Sequence, residues 1–357
     1  MPNRRLLFYT HGLVGGGAER VWALVASGLL RRGWDVTFGV DFEDGANEGF
    51  LPPELKRVVF GRSHTKAIAE IARFLKRDQP AVAFAAVGAS NLKLMLARMR
   101  SGWHGAAVLS AHGRFDAEPR FLGRLTYRAT PLTSRWAART LTVSDDLRSY
   151  LIKRFRARPD RVTTIHNAIH LPPSDHVPNT AQLAARPDIV LAVGRMVPEK
   201  GFSTLIDALA LTKPNTRLVI LGDGPERAAL ESQAIALGVQ GRIDFRGYRA
   251  EPWPAYREAK MLALPSWTEA FGNVLVEALG HGLPVVATRC GGPEEVLEDG
   301  KHGTLVPPRD PTALAAAIDA TLASPGDPAP RRARAEDFSI DRALDKFEAL
   351  IAEIAPE

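Results

Sequence analysis

The fold is decided by the stretch Met261-Leu-Ala-Leu-Pro265-Ser-Trp-Thr-Glu269-Ala-Phe-Gly-Asn-Val-Leu-Val-Glu277. Its apolar run over 261–264, closed by a proline, predicts a short buried strand. The apolar segment over 274–281 follows a glycine and predicts a helix. A strand, a loop and a helix in this order form the unit that repeats in parallel α/β sheets.

The same alternation continues on both sides of this stretch. In the first half, β-rich runs predict strands at 6–9, 36–40, 58–60, 82–86, 107–110, 140–143 and 162–165. In the second half they predict strands at 189–193, 217–221, 243–245, 261–264, 284–287 and 303–306. Helical patterns lie between several of them, at 18–31, 66–76, 202–211, 226–237, 274–281 and 312–322. We therefore predict an α/β protein with parallel sheets covered by helices.

A chain of 357 residues is too long for one hydrophobic core and suits two domains. The polar stretch 171–187 has the prolines typical of a linker, in Leu171-Pro172-Pro173 and at Pro178 and Pro187. We predict a first Rossmann-like domain over 1–170 and a second over 188–337, facing each other across a cleft. Ligands of such sheets bind beyond the carboxyl ends of the strands.

Composition narrows the class of protein. The content of 45% hydrophobic and 24% charged residues is that of a globular protein, and no apolar run is long enough for a membrane span. The single cysteine, Cys290, excludes an internal disulfide and a thiolate metal cage, so we expect a reducing cytoplasm. Asp145-Asp146 and the acidic run 41–44 lack the spacing of a metal-bridging pair, and we predict a cap and a turn there.

The net charge of +6 indicates anionic partners, and it is unevenly distributed. From Arg120 to Arg161 the chain carries eleven Arg or Lys against three Asp. Arg120, Arg124 and Arg128 recur every four residues beside the apolar residues Phe121, Leu122, Leu125 and Tyr127. This pattern fits a helix lying on an anionic membrane surface, and equally a surface helix that packs its apolar stripe on its own domain.

Glu269 and Glu277 suggest how the second domain holds a ligand. A diphosphate repels carboxylates but suits the amides at a helix N-terminus, here around Gly272, Asn273 and Val274. The two glutamates are then left for neutral hydroxyls, about 10 Å apart by helical rise. That span fits a sugar nucleotide, with a ribose at one end and a second sugar at the other.

Other loops after strands add to this hypothesis. Arg195 and Lys200 would neutralise the charge that builds on a departing diphosphate, and Gly222-Asp223-Gly224-Pro225 follows the next strand. In the first domain, Gly15, Gly16 and Gly17 precede a helix and would expose amides to an anion, unless they form a turn that only the fold requires. No alignment of this loop places glycines at the first, third and sixth positions, as a nicotinamide-dinucleotide site requires.

Three histidines follow strands of the first domain. We expect His112 to point toward the cleft, where it would hydrogen-bond the transferred sugar. His11 and His166 compete for this role, although a loop histidine is more often structural or merely polar.

Taken together, these motifs resemble the retaining glycosyltransferases of family 4, which have the GT-B fold. The motifs are Gly15-Gly16-Gly17-Ala18-Glu19, Asn167-Ala168, Gly194-Arg195 with Glu199-Lys200-Gly201, Gly222-Asp223-Gly224-Pro225, Leu264-Pro265-Ser266 leading into 269–277, 282–287 and Gly291-Gly292. The family has Pro-Asn-Gly more often than His166-Asn167-Ala168, which leaves the hinge geometry and the role of Asn167 less defined. The resemblance also implies that a C-terminal helix over 338–357 returns to the first domain.

The resemblance implies a role for each site residue. Arg195 and Lys200 would bind the diphosphate, Glu277 the ribose and Glu269 the donor sugar, with His112 beside that sugar. The residues expected to act in catalysis are His112, Glu269, Arg195 and Lys200. The expected donor-binding set is Gly16, Gly17, Arg195, Lys200, Gly224, Glu269, Phe271, Gly272, Asn273, Val274 and Glu277.

We therefore expect a cytoplasmic, metal-independent hexosyltransferase that moves a hexose or N-acetylhexosamine from a UDP-sugar to a saccharide hydroxyl. The expected acceptor is a lipid-linked glycan or a lipopolysaccharide or cell-surface polysaccharide precursor, met at the cytoplasmic face of the membrane. Two alternatives stay open: a sugar-nucleotide epimerase or hydrolase of similar fold, and a catalytically silent binding partner. A nucleic-acid partner is not expected, because no helix-turn-helix, zinc spacing or aromatic-basic platform occurs.

Overall fold

The chain divides into two compact units, Met1–Ala168 with Ile340–Glu357, and Ile169–Ser339. The computed structural model describes residues 4–43, 45, 47–86, 88–115 and 121–355. Each unit contains one parallel sheet covered by helices.

The first unit is built on a seven-stranded sheet in the order β3-β2-β1-β4-β5-β6-β7. Its strands are β1 Arg5–Thr10, β2 Asp35–Val40, β3 Lys56–Val59, β4 Val82–Ala86, β5 Ala106–Ala111, β6 Arg139–Thr142 and β7 Val162–Thr164. The helices between them are α1 Gly17–Arg31, α2 His64–Asp78, α3 Ala89–Ser101, α4 Phe121–Trp136 and α5 Asp145–Phe155. Neighbouring strands are parallel throughout, which gives a Rossmann-like strand order.

The second unit is built on a six-stranded sheet in the order β10-β9-β8-β11-β12-β13. Its strands are β8 Ile189–Val193, β9 Arg217–Leu221, β10 Ile243–Gly247, β11 Met261–Leu264, β12 Val285–Thr288 and β13 Thr304–Val306. Its helices are α6 Thr180–Ala184, α7 Phe202–Leu211, α8 Arg227–Ala236, α9 Trp253–Glu258, α10 Asn273–Gly280, α11 Gly292–Val296, α12 Pro311–Ala323 and α13 Pro328–Glu336.

Helix α14, Ile340–Ile354, completes the first unit from the far end of the chain. Its apolar face, which includes Leu344 and Phe347, belongs to the same core cluster as β1 and α1. Phe347 packs edge-on against Trp22 and Phe84 at ring distances of 5.9 and 5.8 Å. Leu344 packs closely on Gly28, where a Cβ would lie 2.6 Å from the Leu344 side chain, so a larger residue there would force that side chain to move. The predicted return of the C-terminal helix to the first domain is thus confirmed.

The fold class of two Rossmann-like units is confirmed, and all thirteen predicted strands are present. The strands were predictable because both faces of each sheet are covered, so their residues form continuous apolar runs such as 82–86. Helices α3, α5, α6, α9, α11 and α13 were not predicted. All of the stretch predicted as a linker, 171–187, belongs to the second unit, where Leu183 of α6 is fully buried.

Replacing Phe347 with alanine should lower the free energy of unfolding of the first unit by about 3–5 kcal/mol, because it removes a buried ring and leaves a cavity. Lys346→Ala, one residue away on the exposed face of α14, serves as the control and should change it by less than about 0.5 kcal/mol. Urea titration read by hydrogen exchange of α1 peptides measures both variants. Equal stability of the two variants would contradict this packing.

Candidate functional site

Three loops meet at the carboxyl edge of the second sheet. The loop after β8 contacts the loop after β11, where the Trp267 amide donates to the Glu199 carbonyl at 2.8 Å. This approach depends on Gly201, whose φ is +65° and where a Cβ would lie 2.1 Å from the Pro265 carbonyl oxygen. No residue with a side chain fits there without moving the backbone of one loop.

The loop after β9 joins the same assembly. The Met196 amide donates to the Asp223 carbonyl at 2.9 Å, and the Glu226 amide donates to the Met196 carbonyl at 3.1 Å. A Cβ on Gly224 would lie 2.4 Å from the Met196 carbonyl oxygen. Gly224 is thus required for the contact between two loops.

The two predicted cations of this edge differ in their environment. Lys200 Nζ donates to Glu269 Oε2 at 2.6 Å, and the Ser266 hydroxyl also reaches that oxygen at 3.3 Å. Arg195 is exposed, and no carboxylate pairs with it among the described residues. This edge therefore holds one lysine that is paired with a carboxylate and one guanidinium that has no such partner in the described part of the chain.

The loop after β11 is tied on its other side to the start of α11. The Glu269 amide donates to the Cys290 carbonyl at 3.2 Å, and the Gly292 amide donates to the Glu269 carbonyl at 2.9 Å. Burial raises the pKa of the Cys290 thiol to about 12, so this cysteine stays protonated at neutral pH. The backbone of Glu269 is therefore fixed from two sides.

Helix α10 begins at this loop, with Gly272 as its N-cap at a φ of +97°. Its first turn carries no acidic side chain, so the backbone amides there keep a positive potential. Asn273 and Val274 are half-buried in that turn. Phe271 is buried and packs on Phe338 at 5.3 Å, so it can meet a ligand only through its backbone.

Glu277 lies one turn further into α10 and is only 7% exposed. Its Oε2 accepts a hydrogen bond of 2.7 Å from the hydroxyl of Tyr256, which lies on α9. Tyr256 has no place in any sequence motif noted above, and sequence analysis did not find it.

His112 follows β5 in the first unit, as predicted. The indole N–H of Trp22 donates to His112 Nε2 at 2.9 Å, and since an indole N–H can only donate, the imidazole proton must sit on Nδ1. Burial lowers the pKa of His112 to about 4, so the ring is neutral at pH 7. Nδ1 is buried and has no partner among the described residues. His112 therefore presents one unused N–H donor.

His112 is one of the residues that line a small pocket of about 20 Å³ in the first unit. The polar residues of its lining are Ser110, His112, Thr142, His166 and Asn167. Trp22 and Phe347 contribute apolar walls, so the C-terminal helix α14 helps to form the pocket. His166, a rival of His112 in the sequence analysis, shares this pocket with it.

The glycine loop before α1 differs from its expected form. The amides of Gly15 and Gly16 both donate to Glu19 Oε2, at 3.0 and 3.2 Å, so a glutamate in the first turn of α1 accepts from the backbone before the helix. These amides are therefore already bonded, whereas we expected them to be exposed to an anion. Gly17 is the first residue of α1.

His11, the other rival, belongs to a buried network. Asp41 is fully buried and accepts from His11 Nδ1 at 2.5 Å, from the Tyr9 hydroxyl at 2.8 Å and from Lys93 Nζ. Burial alone would raise the pKa of Asp41, but the hydrogen bonds from His11 and Lys93 outweigh it and lower that pKa. Asp41 is thus a structural anion. Of the acidic run 41–44, which was predicted to form a turn, Asp44 lies outside the described residues. The cap predicted at Asp145 and Asp146 lies one residue earlier: both aspartates are in the first turn of α5, and the N-cap is Ser144, whose hydroxyl accepts from the Leu147 amide at 3.1 Å.

Helix α4 carries the basic amphipathic pattern, although Arg120 and the side chains of Phe121 and Leu122 lie outside the described residues. Its inward face is made of small residues, among them Gly123, Thr133 and Ser134. Its outward face bears apolar and basic side chains together: Arg124, Leu125, Arg128, Leu132, Arg135 and Trp136. Leu132 and Trp136 are each 49% exposed, so the stripe is not fully packed on its own unit.

Two absences apply to the described part of the chain. It contains no group of three His, Cys, Asp or Glu side chains arranged to hold a metal ion. None of its helices combines the length and the apolar character that crossing a bilayer demands.

Comparison with known families divides the chain in the same way. Residues 15–171 match the family described as glycosyltransferase family 4. Residues 177–338 match the family described as glycosyl transferases group 1. One match falls on the first unit and the other on the second.

Individual proteins resemble this chain either over part of its length or at lower sequence identity. The chain is 39% identical over 135 residues to the lipopolysaccharide core biosynthesis glycosyltransferase LpsE of Rhizobium meliloti, covering 38% of this chain and 39% of that protein. It is 40% identical over 155 residues to the GDP-mannose-dependent alpha-(1-6)-phosphatidylinositol monomannoside mannosyltransferase of Mycolicibacterium smegmatis, covering 40% of each chain. The matches thus span two fifths of the length of these relatives.

A solved structure matches nearly the whole chain. The crystal structure of Anabaena HepE in complex with UDP-glucose superposes with a TM-score of 0.84 at 24% identity, over 98% of this chain and 99% of that one. At this identity the likeness establishes the fold.

The neutral state of His112 gives the first unit a dependence on pH. Because the pKa of His112 is lowered to about 4 in the fold, from 6.5, only the unfolded chain gains a proton as the pH falls below 6.5. The free energy of unfolding of the first unit should therefore fall by up to about 1.4 kcal/mol for each unit that the pH is lowered between 6.5 and about 4. His112→Gln should flatten this slope and His104→Gln, at an exposed position, should not. Urea titrations at pH 7, 6 and 5 measure it, and an unchanged slope in His112→Gln would show that another group is responsible.

Proposed function

Because this chain belongs to the glycosyltransferases of family 4 and group 1, we propose that it transfers a hexose or N-acetylhexosamine from a nucleoside diphosphate sugar to a saccharide hydroxyl. The supporting observation is the edge of the second sheet, where Arg195, Lys200 and the N-terminus of α10 gather positive potential between two glutamates. That arrangement suits a diphosphate with a sugar on each side.

Each residue of this edge has a proposed part. Arg195 is exposed without a carboxylate partner and would bind the diphosphate directly. Lys200 would exchange Glu269 for a phosphate oxygen, which frees Glu269 to accept from hydroxyls of the transferred sugar. Glu277 would accept from the ribose hydroxyls.

The proposed reaction keeps the anomeric configuration, as the family resemblance implies. The bond from the anomeric carbon to the diphosphate breaks while the acceptor oxygen bonds to the same face of that carbon. The acceptor proton passes to the leaving phosphate oxygen, so no protein base is required. Arg195, Lys200 and the α10 amides would stabilise the charge on the diphosphate without a metal ion.

UDP is the proposed nucleotide. HepE has been crystallised with UDP-glucose, whereas the mannosyltransferase relative uses GDP-mannose, so both bases belong in a test. The proposed acceptor is a lipid-linked saccharide or a lipopolysaccharide precursor, since LpsE acts in lipopolysaccharide core biosynthesis.

An anionic membrane surface is the proposed location, on the cytoplasmic face. The outward side of α4 places Leu132 and Trp136 among arginines. Met99 of α3 is 64% exposed nearby, since Arg98 on α3 donates to the Trp136 carbonyl at 2.7 Å. Apolar side chains within a basic surface are typical of interfacial helices.

Removing the cations should weaken binding of the diphosphate and not of the nucleoside. Arg195→Ala and Lys200→Ala should each bind UDP about tenfold or more weakly, because a charge-assisted hydrogen bond is lost. Their affinity for uridine should stay that of the unaltered protein. Titration calorimetry with UDP, GDP and uridine measures this, and Lys213→Ala, an exposed lysine before β9, is the matched control. Undiminished UDP binding in both variants would refute the assignment.

Incubation with and without an acceptor separates the proposed reaction from its enzyme rivals. A transferase should release UDP from UDP-glucose or UDP-N-acetylglucosamine much faster when a deacylated lipopolysaccharide core fraction is added. An epimerase or a hydrolase turns over the donor alone. A silent binding protein turns over none in either tube.

Vesicle sedimentation checks the membrane proposal. The protein should sediment with phosphatidylglycerol vesicles at low salt, and Arg124→Glu, Arg128→Glu and Arg135→Glu combined should abolish this, since each basic residue contributes about 1 kcal/mol near such a surface. Arg31→Glu, Lys76→Glu and Lys346→Glu combined change the net charge equally on other helices and serve as control. Equal loss in both triple variants would show that net charge, and not α4, is responsible.

A further inference from the structure

Glu277 is a buried carboxylate, and its proposed role requires it to stay charged there. A carboxylate that is only 7% exposed loses most of its hydration, so it needs hydrogen bonds within the protein. The Tyr256 hydroxyl supplies one, donating to Oε2 at 2.7 Å. A hydrogen bond of this kind also fixes the rotation of the carboxylate.

Tyr256 is itself held from several sides. It is fully buried, and its ring stacks on His281 at 4.9 Å with an angle of 13° between the ring planes. The ring of Trp253 also stacks on the ring of His281, at a centroid distance of 5.7 Å. The phenol therefore cannot swing away without opening a layer of three rings.

His281 links this layer back to Glu277. Its Nδ1 lies 2.8 Å from the Glu277 carbonyl oxygen, and since a carbonyl only accepts, Nδ1 must carry the proton. Burial lowers the pKa of His281 to about 4, so the ring is neutral and supplies shape without charge. The side chain of Glu277 and its carbonyl are thus held by two adjoining rings.

The segment before β8 fixes the helix that carries Tyr256. Arg186 Nη1 donates to the carbonyl of Ala259 at 2.6 Å and to that of Tyr256 at 3.3 Å, which caps the end of α9. The capped helix therefore holds the Tyr256 hydroxyl within hydrogen-bond distance of Glu277 on α10.

We propose that Tyr256 is a positioning residue that orients the Glu277 carboxylate for the ribose hydroxyls of the donor, supported by His281 and Arg186. The inference rests on the proposed function and adds to it a residue outside the family motifs. Tyr256 does not touch the ligand in this scheme and acts only through Glu277.

Tyr256→Phe tests this scheme, because it keeps the stacked ring and removes only the hydroxyl. The variant should bind its preferred nucleoside diphosphate, UDP or GDP, roughly tenfold more weakly, the effect of losing one hydrogen bond to a charged group. It should bind the 2′,3′-dideoxy analogue as tightly as the unaltered protein does. A purely structural role would lower both affinities equally, and that result would overturn the inference, as would no loss for either ligand.

Two further variants make the comparison stricter. In a Glu277→Ala background, Tyr256→Phe should cause no additional loss of affinity, because the group through which it acts is gone. Tyr9→Phe removes a buried phenol that likewise donates to a carboxylate, Asp41, in the first unit, and should leave nucleotide binding unchanged. If the unaltered protein bound no nucleoside diphosphate, the proposed function would fail and the inference with it. If it bound one and Tyr256→Phe behaved like Tyr9→Phe, only the inference would fail.

Discussion

The second unit depends on backbone approaching backbone at the carboxyl edge of its sheet. The loops after β8, β9 and β11 come so close that a single methyl group at Gly201 or Gly224 would overlap a carbonyl oxygen. That closeness brings Arg195, Lys200, Glu269 and the start of α10 together from separate parts of the chain. The arrangement of charge therefore requires these glycines.

Buried polar groups in both units are arranged so that each charge has a partner and each buried histidine is neutral. Asp41 is surrounded by three donors, Glu277 receives the Tyr256 hydroxyl, and Lys200 is matched by Glu269. His112 and His281 avoid the cost of a buried cation because burial lowers the pKa of each to about 4. Arg195 differs in remaining unpaired among the described residues, which suits a group that meets an anionic ligand.

The fold was predictable from sequence further than the site was. Strands buried on both faces leave apolar runs that need no knowledge of neighbours, whereas α9 is short, begins Trp-Pro and has no helical period. Motifs on loops identified Arg195, Glu269 and Glu277, because their spacing from strands is local. The partners were beyond reach, since Trp22 meets His112 across 90 positions and Tyr256 meets Glu277 across 21. One signal was overlooked: Glu19 lies three residues after the N-cap Gly16, where a glutamate can accept from the N-cap amide, and this explains why the glycine amides are bonded.

The discontinuity of the first unit has a consequence for biosynthesis. A ribosome releases residues 1–168 long before it makes α14, so Trp22 and Phe84 emerge without the ring of Phe347 that later covers them. The second unit is continuous in the chain and can close during translation, while the first must wait for the last helix. Nascent chains halted before residue 340 would thus pair a finished C-terminal half with an N-terminal half that still exposes apolar surface to chaperones.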